Sequence, residues 1–270
     1  MKDKPKKFSK FSKPDSKEKP KAKDTSWGKV ADWYDKHLQD ENTYHSQVVL
    51  PNLVRIVDLK PNEAMLELGC GQGFFIEKFS KFSNKLTGVD LGKTLIEQAN
   101  LKKISGAEFI WASADDEKIL KDKKFDVITV ILALQNMKNI AAVVKNIKRL
   151  LKPGGRVYIV LNHPSFRIPQ RSSWNMDKEK KIQYRRIDAY MSEFEAKIDM
   201  TPGKKFKKEF TLSYHRPLQV YMKAFAKEGF AITKLEEWIS HRKSEGAWAK
   251  AENVAKKEIP LFMCLVLKNI

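Results

Sequence analysis

"AMLELGCGQGFFIEKF", residues 64–79, places three glycines at alternate positions, Gly69, Gly71 and Gly73, between an apolar run and an amphipathic one. A carboxylate, Glu67, stands two residues ahead of the first glycine. The apolar run reads as a strand, the amphipathic run as a helix, and the glycines as the turn that joins them. In an open parallel sheet, ligands sit beyond the carboxyl ends of the strands, at the switch point beside the first one, which is where this turn lies. Glycine lets backbone approach a ligand closely, and a helix N-terminus favours negative groups.

Outward from this turn, apolar runs recur at 86–89, 108–111, 125–131 and 156–161, with helix-like stretches between them. The clearest is "NIAAVVKNIKRLL" (139–151), with Ile140, Val144, Ile147 and Leu151 on one face and a stop at Pro153-Gly154-Gly155. Strands alternating with helices predict βαβ units, a parallel sheet and right-handed crossovers, the α/β class. Upstream, "SWGKVADWYDKHL" (26–38) repeats apolar residues at helical spacing, and a second helix is expected over 43–58, before Pro61. After 162 the rhythm breaks into a long aromatic and charged insertion, residues 163–212. A helix in "RPLQVYMKAFAKEGF" (216–230) and two strands, "AITKLEEWI" (231–239) and "IPLFMCLVL" (259–267), follow it.

The 270 residues suit one α/β domain, residues 26–270, better than two. Residues 1–25 hold ten lysines against four acids and almost nothing to bury, which predicts a disordered tail. The net charge of +19, of which this tail carries +6, points to a polyanionic partner or only to a solvated basic surface. Two cysteines make no disulfide framework, so a reducing, cytoplasmic setting is expected. The longest apolar stretch, "VITVILAL" (127–134), is far below the ~20 residues of a membrane span, and the lysine-dense start lacks the apolar segment of a secretory signal.

Asp90 ends "LTGVD" seventeen residues after Gly73, placed to accept both hydroxyls of a ribose. That much also fits NAD. The turn does not: a dinucleotide fingerprint runs G-x-G-x-x-G, whereas here the order is E-x-G-x-G-x-G. An acid at Glu67 suits a ligand carrying an ammonium or sulfonium charge and opposes a pyrophosphate.

"LELGCGQG", "GVD", "ASADD", "FDVITVILALQNMKN" and "LKPGGRVYIV", in this order and at these distances, resemble the successive motifs of class I S-adenosylmethionine-dependent methyltransferases, close to the quinone C-methyltransferase subgroup. The resemblance covers residues 27–162, and by topology 216–268. It implies a Rossmann-like seven-stranded sheet of order 3-2-1-4-5-7-6, strand 7 antiparallel, helices on both faces, and S-adenosyl-L-methionine as cofactor. It implies Glu67, Gly69, Gly71 and Gly73 around the methionine part, Asp90 on the ribose, and Leu91, Ser113, Ala114 and Asp115 about the adenine. Ile131 and Ala133 would border the methionine moiety, and Tyr34 would close over its carboxylate. Relatives often carry Asp where this chain has Ser113.

A sulfonium makes its methyl group electrophilic, so transfer needs an aligned nucleophile and exclusion of water more than acid or base groups. A hydroxyl or carbon acid wants a base in addition. Candidates near the strand ends are His163, after the fifth strand, and Tyr214 and His215, before the following helix. Gln135 and Asn136 read as polar lining, and His37, His45 and His241 give no signal. No metal ligation is expected. The insertion, with Phe166, Trp174, Tyr184, Tyr190, Met191, Phe194 and Met200 beside Arg167, Arg171, Arg185 and Arg186, reads as a substrate lid. It fits a small aromatic or amphipathic acidic acceptor. The alternative acceptor, RNA or protein, rests on the basic surface and tail, and lacks the N-P-P-Y type of tetrapeptide after strand four, where "LALQ" stands instead.

Overall fold

The first strand forms where the opening motif places it. In the computed structural model, which describes Trp27, residues 40–201 and residues 208–270, β1 is Met65–Leu68 and every side chain of it is buried. Four further strands run parallel to it: β2 (Leu86–Asp90), β3 (Ala107–Trp111), β4 (Phe125–Ile131) and β5 (Leu151–Asn162). Six more elements of strand follow. Of these, β10 (Phe230–Trp238) and β11 (Phe262–Asn269) complete a seven-stranded sheet of order β10-β11-β5-β4-β1-β2-β3. β11 is antiparallel to both neighbours and lies inside β10. In order of position these are the strands 3-2-1-4-5-7-6 of a Rossmann-like sheet, and the two closely spaced apolar stretches at 231–239 and 259–267 are its last pair.

Alternation across the pleat divides the core in two. Ile128 and Val130 of β4, Val157, Ile159 and Leu161 of β5 and Met263, Leu265 and Leu267 of β11 point to one side. There they meet α4 (Ile140–Leu150) through Ile140, Val143, Val144, Ile147 and Leu150, and α5 (Leu218–Lys227) through Tyr221 and Phe225. Val127 and Ile131, Tyr158 and Val160, and Phe262, Cys264 and Val266 point to the other side. That side is covered by α1 (Leu50–Val57), α2 (Phe74–Phe79) and α3 (Lys93–Leu101). A short π-helical turn, His45–Val49, leads into α1. The remaining helix, α6 (Ala249–Glu258), lies between β10 and β11.

Three local readings change. No helix joins β3 to β4; residues 112–124 run in turns, with Ile119 tucked into the core. The Pro153-Gly154-Gly155 signal does end the helix region, but β5 already begins at Leu151. The three residues form an irregularity between the pairs Phe125–Leu151 and Val127–Arg156. The insertion is two antiparallel hairpins: β6 (Ser172–Asp177) with β7 (Ile182–Ile187), and β8 (Phe194–Asp199) with β9 (Phe210–His215). β7 packs on α6, whereas β9 packs on the 3-10 turn Leu134–Asn136 that follows β4. Tyr214 and His215 therefore belong to the second hairpin. The Lys-rich stretch 1–25, Tyr34 and all of the expected first helix except Trp27 lie outside the described residues.

Candidate active site

The glycine turn after β1 is shaped by contacts that exclude side chains. Gly69 has φ +78°, and a Cβ there would overlap that of Ala133 at the end of β4. Gly73 has φ +77° and caps α2; a Cβ there would come within 2.7 Å of the Phe109 ring. Gly71, between them, has open space above it. Backbone bonds from Gly69 and Cys70 to the Val89 carbonyl (2.7 and 3.1 Å) tie the turn to β2.

Asp90 joins two loops. Its Oδ2 accepts the Gly71 N–H at 2.9 Å and its Oδ1 accepts the Gly92 N–H at 2.7 Å, so the turns after β1 and β2 are locked to one carboxylate. A carboxylate offers about four acceptor positions. On the far side, Asn146 of α4 donates to the carbonyls of Ala114 (2.9 Å) and Asp116 (3.0 Å). These bonds fix the helix-free loop that carries Ser113, Ala114 and Asp115, and the Ser113 hydroxyl bonds the Asp115 carboxylate.

Together these loops line a cavity of about 460 Å³ at the carboxyl ends of the strands. Glu67, Gly69, Gly71, Asp90, Leu91, Ser113, Ala114, Asp115, Ile131, Ala133 and Tyr214 all reach it. Gly73 does not; its contact is with Phe109 beneath the turn.

The floor of the cavity carries uncompensated polarity. Glu67 is 1% exposed, and its Oε2, together with both polar atoms of the Gln72 side chain, is buried with no hydrogen-bond partner among the described residues. Burial, reinforced by the negative charge of Asp90, pushes the Glu67 carboxyl well above the usual carboxylate range. The same two causes, with Glu67 added, raise the neighbouring Cys70 thiol. Native proteins rarely leave buried polar atoms unpaired, and such atoms mark a place for a ligand or water.

The opposite wall comes from β4 and β9. Leu132 follows β4 with φ +52°, an uncommon conformation for a leucine, and Gln135 Nε2 donates to its carbonyl at 2.8 Å. Asn136, Met137 and Lys138 continue this wall, and Thr211, Leu212 and Tyr214 of β9 face it. Arg216 holds the two together: its guanidinium donates to the carbonyls of Met137 (2.9 Å) and Lys138 (2.8 Å) and lies over the Tyr214 ring at 5.1 Å. Burial and the Glu195 charge raise the Tyr214 phenol, which stays neutral near neutral pH.

Two candidate bases are placed elsewhere. His163 is 4% exposed and does not line the cavity; its Nδ1 accepts the Ser165 N–H at 3.2 Å and its Nε2 meets Glu237 at 2.7 Å. His215 also lies off the cavity, where its Nε2 donates to the Tyr190 carbonyl at 2.8 Å between the rings of Tyr190 and Phe194. Burial lowers both imidazoles below their ordinary range. Among the described residues no three His, Cys, Asp or Glu side chains converge to hold a metal.

Residues 66–159 match the family described as a methyltransferase domain. That stretch, about a third of the chain, is similar to a methyltransferase domain. A ubiquinone biosynthesis O-methyltransferase of Nitrosococcus oceani is 36% identical over 97 residues, 35% of this chain and 41% of that protein. One of Pseudomonas paraeruginosa is 29% identical over 100 residues, 36% of this chain and 43% of that protein. The match thus spans less than half the length of these curated relatives. Among solved structures, an S-adenosylmethionine dependent methyltransferase of Mesorhizobium loti shares the fold. Its TM-score is 0.64 at 23% identity, over 80% of this chain and 95% of that one.

The fold also brings to the cavity residues that the sequence pattern did not single out. Gln72, Phe74, Phe75, Met137 and Lys138 lie within or beside motifs already quoted, so their place next to the glycine turn and β4 was the signal. His45 and Trp27 come from the segment ahead of α1, and Thr211 and Leu212 from β9. No local pattern marks them. No helix among the described residues is long and apolar enough to cross a membrane.

Proposed function

We propose that this protein transfers a methyl group from S-adenosyl-L-methionine to a small acceptor that is aromatic or amphipathic. The observation that carries the reading is the buried polar floor, Glu67 Oε2 and the Gln72 amide, set beside the two-loop carboxylate of Asp90 in one cavity. These groups fit the cofactor. A zwitterionic amino-acid end supplies an ammonium for Glu67 and a carboxylate for the Gln72 amide, and a ribose supplies hydroxyl donors for Asp90. The bare backbone at Gly71 leaves room for close approach, and Leu91 and the Ser113–Asp115 loop flank the place of a base ring. When bound, the cofactor supplies a methyl group made electrophilic by a positively charged sulfur.

What the chain adds is position and shelter. Ile131 and Ala133 at the end of β4 set the depth of the reacting centre, and β9 covers it from above. The insertion serves as the acceptor's lid chiefly through its second hairpin, because β9 supplies cavity wall while β7 packs on α6. Aromatic and aliphatic groups dominate the part of the wall that Glu67 and Asp90 do not serve: Phe74, Phe75, Met137, Leu212 and Tyr214. That composition favours an apolar ring over a polyanionic chain, as does the size of the cavity, within the range of small-molecule sites.

The test is incubation with S-adenosyl-[methyl-³H]methionine and a cell extract, followed by separation into small-molecule, lipid, RNA and protein fractions. Label is expected in the small-molecule or lipid fraction. Label confined to RNA or protein overturns the acceptor class, and failure to bind the cofactor at all overturns the reading.

A further inference from the structure

We propose that His45 is the general base of the transfer and that the acceptor presents a weakly acidic hydroxyl, as a phenol does. The inference rests on the methyltransferase reading above and deepens it. Among the described residues, seven titratable side chains line the cavity. Asp90 is engaged by two backbone N–H groups, and Asp115 by the Ser113 hydroxyl. Glu67 is buried in the polar floor, where burial and the Asp90 charge raise its carboxyl well above the usual carboxylate range. Cys70 and Tyr214 are likewise held in their neutral, protonated forms. His45 is, among the described residues, the histidine that reaches the cavity.

Its setting has a second feature. His45 opens a five-residue π-helical turn, His45–Val49, directly before α1. Wide turns of this kind are rare and concentrate at functional sites. The ring lies against the first two residues of α2, with centroids 6.3 Å from Phe74 and 6.1 Å from Phe75. Both phenylalanines line the cavity, so the imidazole and the apolar ring platform share one wall, with Tyr214 and Leu212 on the β9 side. An aromatic ring seated against that platform brings a ring substituent to the imidazole. Imidazole is the side chain whose ordinary range spans neutral pH, which suits it to take a phenolic proton.

The step balances. A lone pair of the acceptor oxygen forms the O–C bond as the S–C bond breaks and its electron pair returns to sulfur. The hydroxyl proton passes to His45. The positive charge that began on sulfur ends on the imidazolium, and the products are a methyl ether and a neutral thioether.

The experiment uses the full chain, S-adenosyl-[methyl-³H]methionine, and the extract fraction that wild type labels. His45→Gln is expected to bind S-adenosylhomocysteine within threefold of wild type by calorimetry, which also shows that it is folded. Its kcat at pH 7 is expected to fall by about 10²–10⁴ with KM nearly unchanged. The wild-type profile of log kcat rises with pH through a limb that His45→Gln lacks, and imidazole in the buffer restores part of the rate to His45→Ala. A His45→Gln enzyme with wild-type kcat and the same acidic limb overturns the assignment. So does a labelled product methylated at carbon, nitrogen or sulfur instead of oxygen. If wild type binds S-adenosylhomocysteine yet labels no fraction, the methyltransferase reading fails and the assignment falls with it; loss confined to the His45 variants leaves that reading standing.

Discussion

The cavity has two walls made by different means. The wall from β1, β2 and the 112–116 loop is assembled from backbone: glycines whose missing Cβ atoms prevent overlap, a carboxylate joining two turns, and an asparagine holding a loop by its carbonyls. The wall from β9 and the segment around His45 is assembled from side chains on elements that belong to no repeating pattern. The first wall has little freedom to change while the fold persists. The second wall changes by substitution at its surface. Affinity for the cofactor should therefore reside in the first wall and choice of acceptor in the second.

The largest expected effect tests the rigidity of the first wall. Gly69→Val places a branched side chain on a left-handed residue and against Ala133, combining a conformational cost of about 1–2 kcal/mol with an overpacking cost of about 1–3 kcal/mol. S-adenosylhomocysteine binding by calorimetry should disappear and the melting temperature should fall by roughly 4–20 °C at the 2–4 °C per kcal/mol usual for this size. Wild-type binding in this variant would show the turn to be adaptable.

Asp90→Ala comes next. Losing charged hydrogen bonds worth about 1.5–3 kcal/mol should weaken S-adenosylhomocysteine at least tenfold, whereas Tyr214→Ala should leave that affinity within threefold while raising the acceptor KM about tenfold. If the two variants exchanged these effects, the division between the walls would be wrong.

Glu67→Gln sharpens the account of the first wall through pH. A carboxyl raised on folding holds its proton in the native state while the unfolded chain has lost it, so stability falls as pH climbs from the ordinary carboxylate range toward the folded value. Replacing it with Gln should therefore raise the melting temperature of the ligand-free protein at pH 7 by a few degrees and make no difference near pH 4. The same variant should bind S-adenosylhomocysteine more weakly. A melting temperature unchanged at pH 7 would mean that Glu67 is compensated in the native state.

The smallest effect is expected at His163, off both walls. Its imidazole is lowered by burial, so the native state resists protonation and stability is full above the ordinary histidine range and declines as pH falls below about 6.5. His163→Gln should remove part of that acid sensitivity, seen in melts between pH 7 and 5, and change kcat less than twofold. A large drop in kcat with stability intact would return His163 to the chemistry.

The same contrast explains what the sequence discloses. The central strands of the main sheet, such as β1, β2, β4 and β11, are largely buried on both faces and read as short apolar runs, and the sheet order with its reversed last strand follows from the motif resemblance and the spacing of the final two runs. The first wall is legible because its residues sit within a few positions of strand ends. The hairpins β6–β9 are half exposed, with alternating patterns such as that of β7, where Ile182, Tyr184 and Arg186 take turns with partly buried residues. No apolar run announces them. His45 was unmarked for another reason: its place depends on a π turn and on rings nearly thirty positions later, contacts made only in the folded chain. The helix expected between β3 and β4 fails because the loop is held by Asn146 from outside, not by its own periodicity.

The order β5-β11-β10 also bears on how the polypeptide is made. Translation delivers β5 and β10 before the strand that must lie between them, so for the seconds needed to add the stretch from Trp238 to Asn269, at roughly 5–20 residues per second, the emerging chain carries two open strand edges. Open edges invite pairing with other nascent chains. Ribosome pausing within that stretch would prolong the hazard, and codons there that speed elongation would shorten it, with no change to any residue of the finished protein.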